Sequence, residues 1–319
     1  MSFSRRRFIT ISAGLALGTI VSPAMAKTVS WRGIALGAEA KLIIAGLPEG
    51  EANRLVGSAL AEIDRLEGIF SLYRTDSTLC KLNRDGKLQA PPPELLSLFS
   101  KVDVIHRAAG GLFDPTVQPL WRVYAECAGK PSDNAVRQAR RRVGWEHVGY
   151  DTDVVQFERP RMQLTLNGIA QGFVTDRITS LLKSQGVEHA VVNIGEISAL
   201  GNQSDGEPWQ VGLMSSGNDS ADEFVQLSNQ SVATSAPLGT TFDGRKSHIL
   251  NPLNGLPSAP YWERVSVIHG SAAIADGLST ASVLMAEAAI RKSLKTVTGS
   301  TLIARRSDNE VLRLQSEVI

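Results

Sequence analysis

Apolar residues recur at helical spacing through the first half of the chain. Between Glu51 and Phe70 they fall three or four positions apart, which places them on one face of a helix. A second segment with this spacing runs from Pro93 to Ala109, and the Gly110-Gly111 pair that follows is a typical helix stop. Two more helices are predicted, one starting near Ser132 and one from Phe173 to Lys183 that ends at Gly186.

The second half of the chain reads mostly as strands. Short runs of β-branched and apolar residues are separated there by residues typical of turns. The predicted strands are Val154 to Phe157, Met162 to Leu166, one beginning at Val191 and Val192, Trp209 to Met214, Phe224 to Leu227, Ser231 to Thr234, His248 to Leu250, Val265 to Ile268, Thr301 to Ala304 and Val311 to Leu314. One helical segment, Ala275 to Lys295, lies among them. Because helices cluster early and strands late, the pattern predicts an α+β fold rather than a regular β-α alternation.

The first 26 residues predict a twin-arginine export signal. Arg5 and Arg6 are adjacent, an uncharged stretch follows from Ile9 to Ser22, and Ala24-Met25-Ala26 has the small residues of a cleavage site. The apolar run is short and rich in small residues, whereas a membrane span needs about 20 apolar residues. We expect cleavage after Ala26, a protein in the periplasm, and no membrane anchor of its own. A basic N-terminus or an uncleaved signal anchor is the alternative.

Charge and cysteine content narrow the class of partner. The chain has 33 basic and 32 acidic residues, a formal net charge of +1. Loss of the signal removes three arginines and leaves 30 basic against 32 acidic residues, so nothing favours a nucleic-acid partner. An oxidising compartment would allow Cys80 and Cys127 to pair, and two free thiols fit equally well.

Two segments carry oxygen donors or glycines that could bind a metal ion or a phosphate. Asp276 and Thr280 stand four residues apart on one helix face with Ser279 close by, and these hard oxygen donors suit Mg²⁺; an N-cap role for Asp276 is the alternative. Gly168 and Gly172 lie between a strand and a helix, where backbone can approach a phosphate, although a tight turn explains them equally well.

A histidine and a basic run complete the candidate groups. His248 precedes a turn and is the best-placed general base among the five histidines, although a lone histidine on a strand is more often structural. The four arginines in the third helix read most simply as a solvated face, with phosphate binding as the alternative. They are Arg137, Arg140, Arg141 and Arg142. The chain has no G-x-S-x-G, H-E-x-x-H or zinc-type cysteine spacing, so common hydrolase and metalloprotease motifs are absent. Its scattered Met and His residues do not suit a copper chaperone.

Five segments taken in order resemble the signature blocks of the ApbE family, the FAD:protein FMN transferases. They are Phe70 to Asn83 (FSLYRTDSTLCKLN), Gly110 to Trp121 (GGLFDPTVQPLW), Asn167 to Arg177 (NGIAQGFVTDR), Ser231 to Ala236 (SVATSA) with Ser247 to Gly255 (SHILNPLNG), and Ile274 to Ala281 (IADGLSTA). Their order and spacing cover most of the mature chain. The resemblance implies one domain over residues 27–319 with a T-fold-related α+β architecture.

The resemblance also implies a reaction and a set of site residues. Such an enzyme binds FAD and Mg²⁺ and moves FMN onto a Ser or Thr hydroxyl of a target flavoprotein, releasing AMP. His248 corresponds to the family's histidine near the reacting phosphate. The implied metal site consists of Asp276, Ser279 and Thr280 with the backbone at Gly168 or Ala170. The implied FAD-binding residues are Tyr73, Phe113, Asp114, Thr116, Thr165, Gln171 and Leu250.

Three departures from the family pattern bear on the partner. Gln171 stands where the family usually has lysine, Thr165 where it has an acidic residue, and Asn193 to Ile197 (NIGEI) replaces a two-glycine turn. The pattern is closer to the NosX-like branch, which implies a membrane-bound or exported acceptor such as a NosR-like regulator. Two other functions stay open at this point: a Mg²⁺-dependent FAD pyrophosphatase, and a non-catalytic flavin-binding assembly factor.

Overall fold

The computed structural model describes residues 28–215 and 221–316. The predicted export signal, residues 1–26, lies outside the described residues. Within those two ranges, no helix combines the length and apolarity that crossing a bilayer requires. Cys80 is half-buried and Cys127 is exposed, and both are free thiols.

Thirteen strands and eight α-helices are described. The strands are β1 (Thr28–Ala35), β2 (Ala38–Ala45), β3 (Lys87–Gln89), β4 (Val148–Tyr150), β5 (Val154–Phe157), β6 (His189–Ile194), β7 (Ile197–Leu200), β8 (Trp209–Leu213), β9 (Glu223–Leu227), β10 (Gln230–Ser235), β11 (Trp262–His269), β12 (Thr301–Arg306) and β13 (Val311–Gln315). The helices are α1 (Glu49–Phe70), α2 (Thr78–Asp85), α3 (Pro93–Ala108), α4 (Gln118–Glu126), α5 (Asp133–Arg140), α6 (Ala170–Ser184), α7 (Ala272–Ser282) and α8 (Glu287–Leu294). The predicted α+β class is confirmed, with most helices early and most strands late.

One large antiparallel sheet organises the molecule. Its eight strands follow the order β1-β2-β6-β7-β10-β11-β12-β13, and every neighbouring pair is antiparallel. Helices α1, α3, α6 and α7 contribute to the main core on one face of this sheet, and the β8–β9 hairpin closes a smaller core on the other. Because β11 is covered on both faces, it is buried almost without interruption rather than alternating.

Four of the five predicted helices are confirmed, the fifth is divided in two, and the predicted strands fail in two places. Residues Met162 to Leu166 form no strand: Leu164 donates its amide to Asn83 Oδ1 at 2.6 Å and accepts from Asn83 Nδ2 at 2.8 Å. A side chain has taken the place of a neighbouring strand. Residues His248 to Leu250 form no strand either, because the chain turns back on both sides. It pairs only through two isolated bridges, Thr241 with Ser247 and Leu250 with Pro257.

The predicted helix from Ala275 to Lys295 is two helices. α7 ends at Ser282 and α8 begins at Glu287, with residues 283–286 forming a turn between them. The carbonyl of Met285 accepts a hydrogen bond from Trp262 Nε1 at 2.8 Å, so it faces the sheet. The sequence pattern also missed β1, β2, α2 and α4, and with them the strand pair that forms one edge of the sheet.

An ionic cluster centred on one buried arginine joins the β8–β9 hairpin to the sheet. Arg264 on β11 is fully buried and donates to Asp222 Oδ1 at 2.6 Å and to Glu223 Oε2 at 2.9 Å. Arg305 lies 3.2 Å from Asp222 Oδ2, and Arg313 also pairs with Glu223. The charges are matched across two layers, so the cluster fixes where the hairpin sits.

We predict that Arg264→Ala lowers the free energy of unfolding by about 3–5 kcal/mol, because removing one member of a buried pair leaves desolvated carboxylates with too little positive charge. Denaturant unfolding measures this. Arg291→Ala, which removes an exposed guanidinium paired with Glu287 on α8, is the control and should change stability little. Equal losses for the two variants would show that the cluster does not secure the hairpin.

Candidate functional site

The site forms where α6 crosses α7 with almost no space between the two backbones. A Cβ built at Gly172 would overlap the carbonyl oxygen of Ala272 and lie 2.8 Å from the Cα of Ala273. Only glycine permits this approach. The crossing therefore sets the start of α6 directly against the first turn of α7.

Asp176, one turn further along α6, caps α7. Its Oδ1 accepts from the amide of Ala272 at 2.6 Å, and its Oδ2 accepts from the amide of Ala273 at 3.1 Å. The hydroxyl of Ser271 also donates to Oδ2 at 2.6 Å. A carboxylate here satisfies helix amides that lack partners and opposes the positive end of the helix dipole. The close contact at Gly172 and the cap provided by Asp176 together fix the position and rotation of α7.

Gly172 offers a direct test of this crossing. We predict that Gly172→Ala destabilises the protein by about 1–3 kcal/mol, because the added methyl group forces the two helices apart. Thermal or denaturant unfolding is the measurement. Gly57→Ala on α1 is the matched control: nothing lies within 4 Å of a Cβ built there, so we expect a gain of about 0.4–1 kcal/mol. A loss at Gly57 as large as at Gly172 would contradict the close-contact explanation.

Asp276 projects from the interior of α7 to the start of α6. The residue is 4% exposed, and its Oδ2 accepts the amide of Gly172 at 3.2 Å. The alternative that Asp276 is a helix cap is wrong, because α7 starts at Ala272 and Ser271 is its N-cap. Its carboxylate instead accepts an amide in the first turn of α6, so Asp276 joins the two helices at their crossing.

A cluster of three hydroxyl groups forms between the same helix and the end of β10. Ser235, the last residue of β10, has its Oγ 2.8 Å from Ser279 Oγ and 3.1 Å from Thr280 Oγ1. Gly168 lies against this cluster, since a Cβ built there would lie 3.3 Å from Thr280 Oγ1 and 3.4 Å from the Phe113 ring. The structure thus brings Gly168, Ser279 and Thr280 together with Asp276 one helical turn away.

These groups fit a hard cation. One carboxylate, neighbouring hydroxyls and a backbone cradle that a Cβ would fill are oxygen donors of the kind Mg²⁺ takes when substrate phosphates and water complete its shell. Ala170, two residues after Gly168, is the first residue of α6. No group of three or more His, Cys, Asp and Glu side chains suited to a metal occurs in the described part of the chain, so a soft or histidine-rich metal site is not seen there.

Gln171 and Glu196 are buried beside the helix crossing. Gln171 is 5% exposed, and its Oε1 has no hydrogen-bond partner among the described residues. Its side chain lies against Gly195, where a Cβ would come within 2.5 Å of Nε2 and where φ is +90°. Glu196 accepts the amide of Thr234 at 3.2 Å, next to Ser235. An unsatisfied amide oxygen is costly unless a ligand or water supplies a donor.

Asp114 and Thr116 hold the chain around Trp145 in position through hydrogen bonds. Asp114 Oδ1 accepts from the amide and hydroxyl of Thr116 at 2.8 and 2.6 Å, and Oδ2 accepts from the amide of Trp145 at 3.0 Å. The Thr116 hydroxyl in turn accepts from the amide of Gly144 at 2.7 Å. Burial raises the pKa of Asp114, and the bonds from Thr116 act in the opposite direction. Both side chains are thus committed to positioning a loop.

The other predicted flavin-site residues occupy different settings. Thr165 donates its amide to the carbonyl of Pro115 at 2.8 Å, which ties the residues just before the segment Asn167 to Arg177 to the segment Gly110 to Trp121. Tyr73 is 59% exposed in the loop after α1, whose last residue, Phe70, stacks edge-on with Phe173 of α6 at 5.4 Å. Leu250 is buried in a satellite core with residues of α4 and α5, so its side chain serves packing.

His248 lies on the long loop between β10 and β11, half-buried. Its Nδ1 is 2.8 Å from the carbonyl oxygen of Thr240. A carbonyl can only accept, so Nδ1 carries the hydrogen and, in the neutral ring, the lone pair belongs to Nε2. The loop begins directly after Ser235, which contacts Thr280. The backbone therefore orients the imidazole as a proton acceptor at Nε2.

Sequence reasoning missed Ser235, Glu196 and Asp176 as members of the site. Ser235 and Asp176 stood inside quoted signature segments, and Glu196 stood in the turn noted as a departure. The signal that could have found them was the occurrence of carboxylates and hydroxyls at the ends of predicted elements, next to glycine turns. Their convergence depends on contacts between distant parts of the chain.

A family profile described as "ApbE family" matches residues 36–302. The FAD:protein FMN transferase of Vibrio cholerae serotype O1 is 31% identical over 243 residues, which are 71% of this chain and 73% of that protein. The enzyme of the same name from Chlamydia muridarum is 29% identical over 233 residues, covering 68% of this chain and 72% of that one.

Solved structures show the same fold. The flavin transferase ApbE from Vibrio cholerae superposes with a TM-score of 0.80 at 23% identity, covering 92% of this chain and 98% of that chain. The apo flavinyl transferase ApbE of Pseudomonas stutzeri gives a TM-score of 0.77 at 26% identity, covering 93% and 98% of the two chains. The architecture is therefore shared over nearly the whole length of both structures.

Proposed function

The chain belongs to the ApbE family, and we infer that it is an FAD:protein FMN transferase, an enzyme that attaches FMN to an acceptor flavoprotein. The single observation that carries this from the geometry is the convergence of three separate signature segments at one point. Gly168, Ser235 and Thr280 come from different elements and meet beside the buried Asp276.

The reaction we propose is attack by an acceptor Ser or Thr hydroxyl on the FAD phosphorus nearer the riboflavin. A bond forms between that oxygen and phosphorus, and the bond to the AMP phosphate breaks with its electron pair going to AMP. The hydroxyl proton goes to Nε2 of His248, which the Thr240 carbonyl orients for this task. Phosphoryl chemistry of this kind depends mainly on positioning and on charge neutralisation.

We propose that the enzyme uses Mg²⁺. Asp276, Ser279 and Thr280 would hold the ion, together with backbone oxygens at Gly168 or Ala170. Magnesium supplies neutralisation of charge on the pyrophosphate and on the departing phosphate. Gln171 would direct its buried amide toward bound FAD, which accounts for an oxygen that otherwise has no partner among the described residues.

We further propose that the protein works in the periplasm, where the acceptor hydroxyl must be exposed. The support is the twin-arginine pattern in the first 26 residues. The substitutions at Thr165 and Gln171 favour the NosX-like branch and thus a NosR-like membrane regulator as acceptor. Co-expression with the flavin-binding domain of such a regulator, and separately of an Rnf-type subunit, would show by mass which one gains FMN.

The decisive experiment is incubation of the purified protein with FAD, Mg²⁺ and a candidate acceptor. We expect the acceptor to gain the mass of one FMN and AMP to appear in equal amount. Free FMN formed equally fast with and without acceptor would instead identify a pyrophosphatase. Bound FAD with no AMP under any condition would identify a flavin-binding assembly factor.

A further inference from the structure

Helix α5 presents a group of arginines that the fold does not neutralise. Arg137 and Arg140 lie on α5 and Arg141 follows it, and all three are exposed. No carboxylate of the described residues lies within ion-pair distance of any of them, whereas Arg65, for comparison, pairs with both Glu62 and Glu94. Unpaired cations held close together repel one another, so they favour an anionic partner.

Two cavities share Arg137 in their linings, and together they are called the groove below. The first has a volume of about 630 Å³ and is lined by Arg245 and Lys246, and the second, of about 510 Å³, is lined by Arg140, Arg141 and Arg159. Asp133 and Glu146 are the exposed carboxylates among the lining residues. Positive charge therefore outweighs negative charge along the whole groove.

The groove also offers apolar surface. Leu256 lines the first cavity and Leu253 the second, and each is 54% exposed. A single exposed leucine needs no explanation. Two of them at the same basic groove fit a ligand with apolar side chains as well as acidic ones.

The walls of the groove also pack against the loop that carries His248. The turn that follows His248 packs on α5, since a Cβ built at Gly255 would lie 3.0 Å from Val136 Cγ1. Tyr124 Oη donates to the carbonyl of Gly255 at 3.1 Å. On the other side, the second cavity reaches Asp114, and the ring of its neighbour Phe113 would lie 3.4 Å from a Cβ built at Gly168. A chain segment lying in the groove would end beside the proposed reaction centre.

We propose that this groove binds an acidic segment of the acceptor protein, next to the hydroxyl that receives FMN. Carboxylates of the segment pair with Arg137, Arg141 and Arg245, and its apolar side chains contact Leu253 and Leu256. The proposal rests on the proposed function for its choice of partner. Charge in the groove steers the acceptor, while FAD and metal binding depend on the residues around Asp276.

The test is a charge reversal that spares the packing of α5. In Arg137→Glu/Arg141→Glu both altered side chains are exposed, and Arg140, which contacts the Gly255 turn, is retained. The control is Lys292→Glu/Lys295→Glu, the same change in net charge at exposed positions on and just after α8. The probes are two labelled peptides, each with one threonine and two leucines. In the first peptide four Asp and Glu residues flank the threonine, and in the second those four residues are Asn and Gln.

We expect the acidic peptide to bind the wild type and the control at least tenfold more tightly than the neutral peptide, with affinity falling as salt rises. The groove variant should lose that preference and keep its affinity for FAD. Equal binding of both peptides to the wild type, or an unchanged preference in the groove variant, would overturn the proposal. Weaker FAD binding by the groove variant would instead assign the arginines to the nucleotide.

Binding is measured without turnover, which separates this proposal from the proposed function. Binding of the acidic peptide by a protein that never transfers FMN would support the groove proposal and contradict the proposed transferase function. FMN transfer at a rate that depends neither on peptide charge nor on the groove substitutions would support the transferase and overturn the groove proposal.

Discussion

Replacing Asp276 with asparagine is expected to reduce FMN transfer about a thousandfold or more while the protein stays folded. A metal ion supplies several kcal/mol of charge stabilisation in such reactions, and each 1.36 kcal/mol is worth a factor of ten in rate. Asparagine has the same shape and can still accept the amide of Gly172, so the change removes the charge and little else. The measurement is single-turnover formation of flavinylated acceptor.

A second readout separates loss of metal from loss of geometry. An ion that binds only the folded protein raises its unfolding temperature as the ion concentration increases. We expect Mg²⁺ to stabilise the wild type but not Asp276→Asn. Ser282→Ala is the control, because this buried hydroxyl on the same helix has no partner among the described residues. Full activity in Asp276→Asn would show that transfer does not depend on this carboxylate.

Replacing His248 with alanine should slow transfer by about 10²–10⁴-fold, the usual contribution of a positioned general base. The affinity for FAD should change little, because the ring acts on the acceptor hydroxyl rather than on the nucleotide. Added imidazole should restore part of the rate, since the removed side chain leaves space for it. Stopped-flow or quenched assays at saturating FAD provide the measurement.

The neighbouring Thr240 supplies the matched comparison. Its carbonyl, not its side chain, holds Nδ1 of His248, so Thr240→Ala should leave the rate nearly unchanged. A rate loss in His248→Ala that imidazole does not relieve, combined with weaker FAD binding, would point to a structural role for the ring.

The sequence pattern predicted those parts of the site whose residues all lie on one helix. The spacing of Asp276 and Thr280 on a helix was enough to place them on one face, and α7 confirms it. The same holds for α1 and α3, whose buried apolar residues recur every three or four positions. The order of the predicted elements, helices early and strands late, predicted the α+β class, which the observed fold confirms.

Features that depend on distant contacts did not follow from the sequence. Ser235 joins the hydroxyl cluster only because β10 ends beside α7, 44 residues away from Ser279 along the chain. Segment Met162 to Leu166 has the composition of a strand, yet Asn83 takes the bonds a neighbouring strand would make. In β1 only alternate residues are partly buried, a weak signal for an edge strand.

The free thiols of Cys80 and Cys127 determine what this fold requires from its surroundings. No covalent cross-link closes a loop, so the whole stability comes from packing, hydrogen bonds and charge pairs. The protein should therefore reach its native state without an oxidant, and its unfolding midpoint should be the same with and without a reducing agent. A chain of this kind can complete its folding on either side of a membrane whose two faces differ in redox potential.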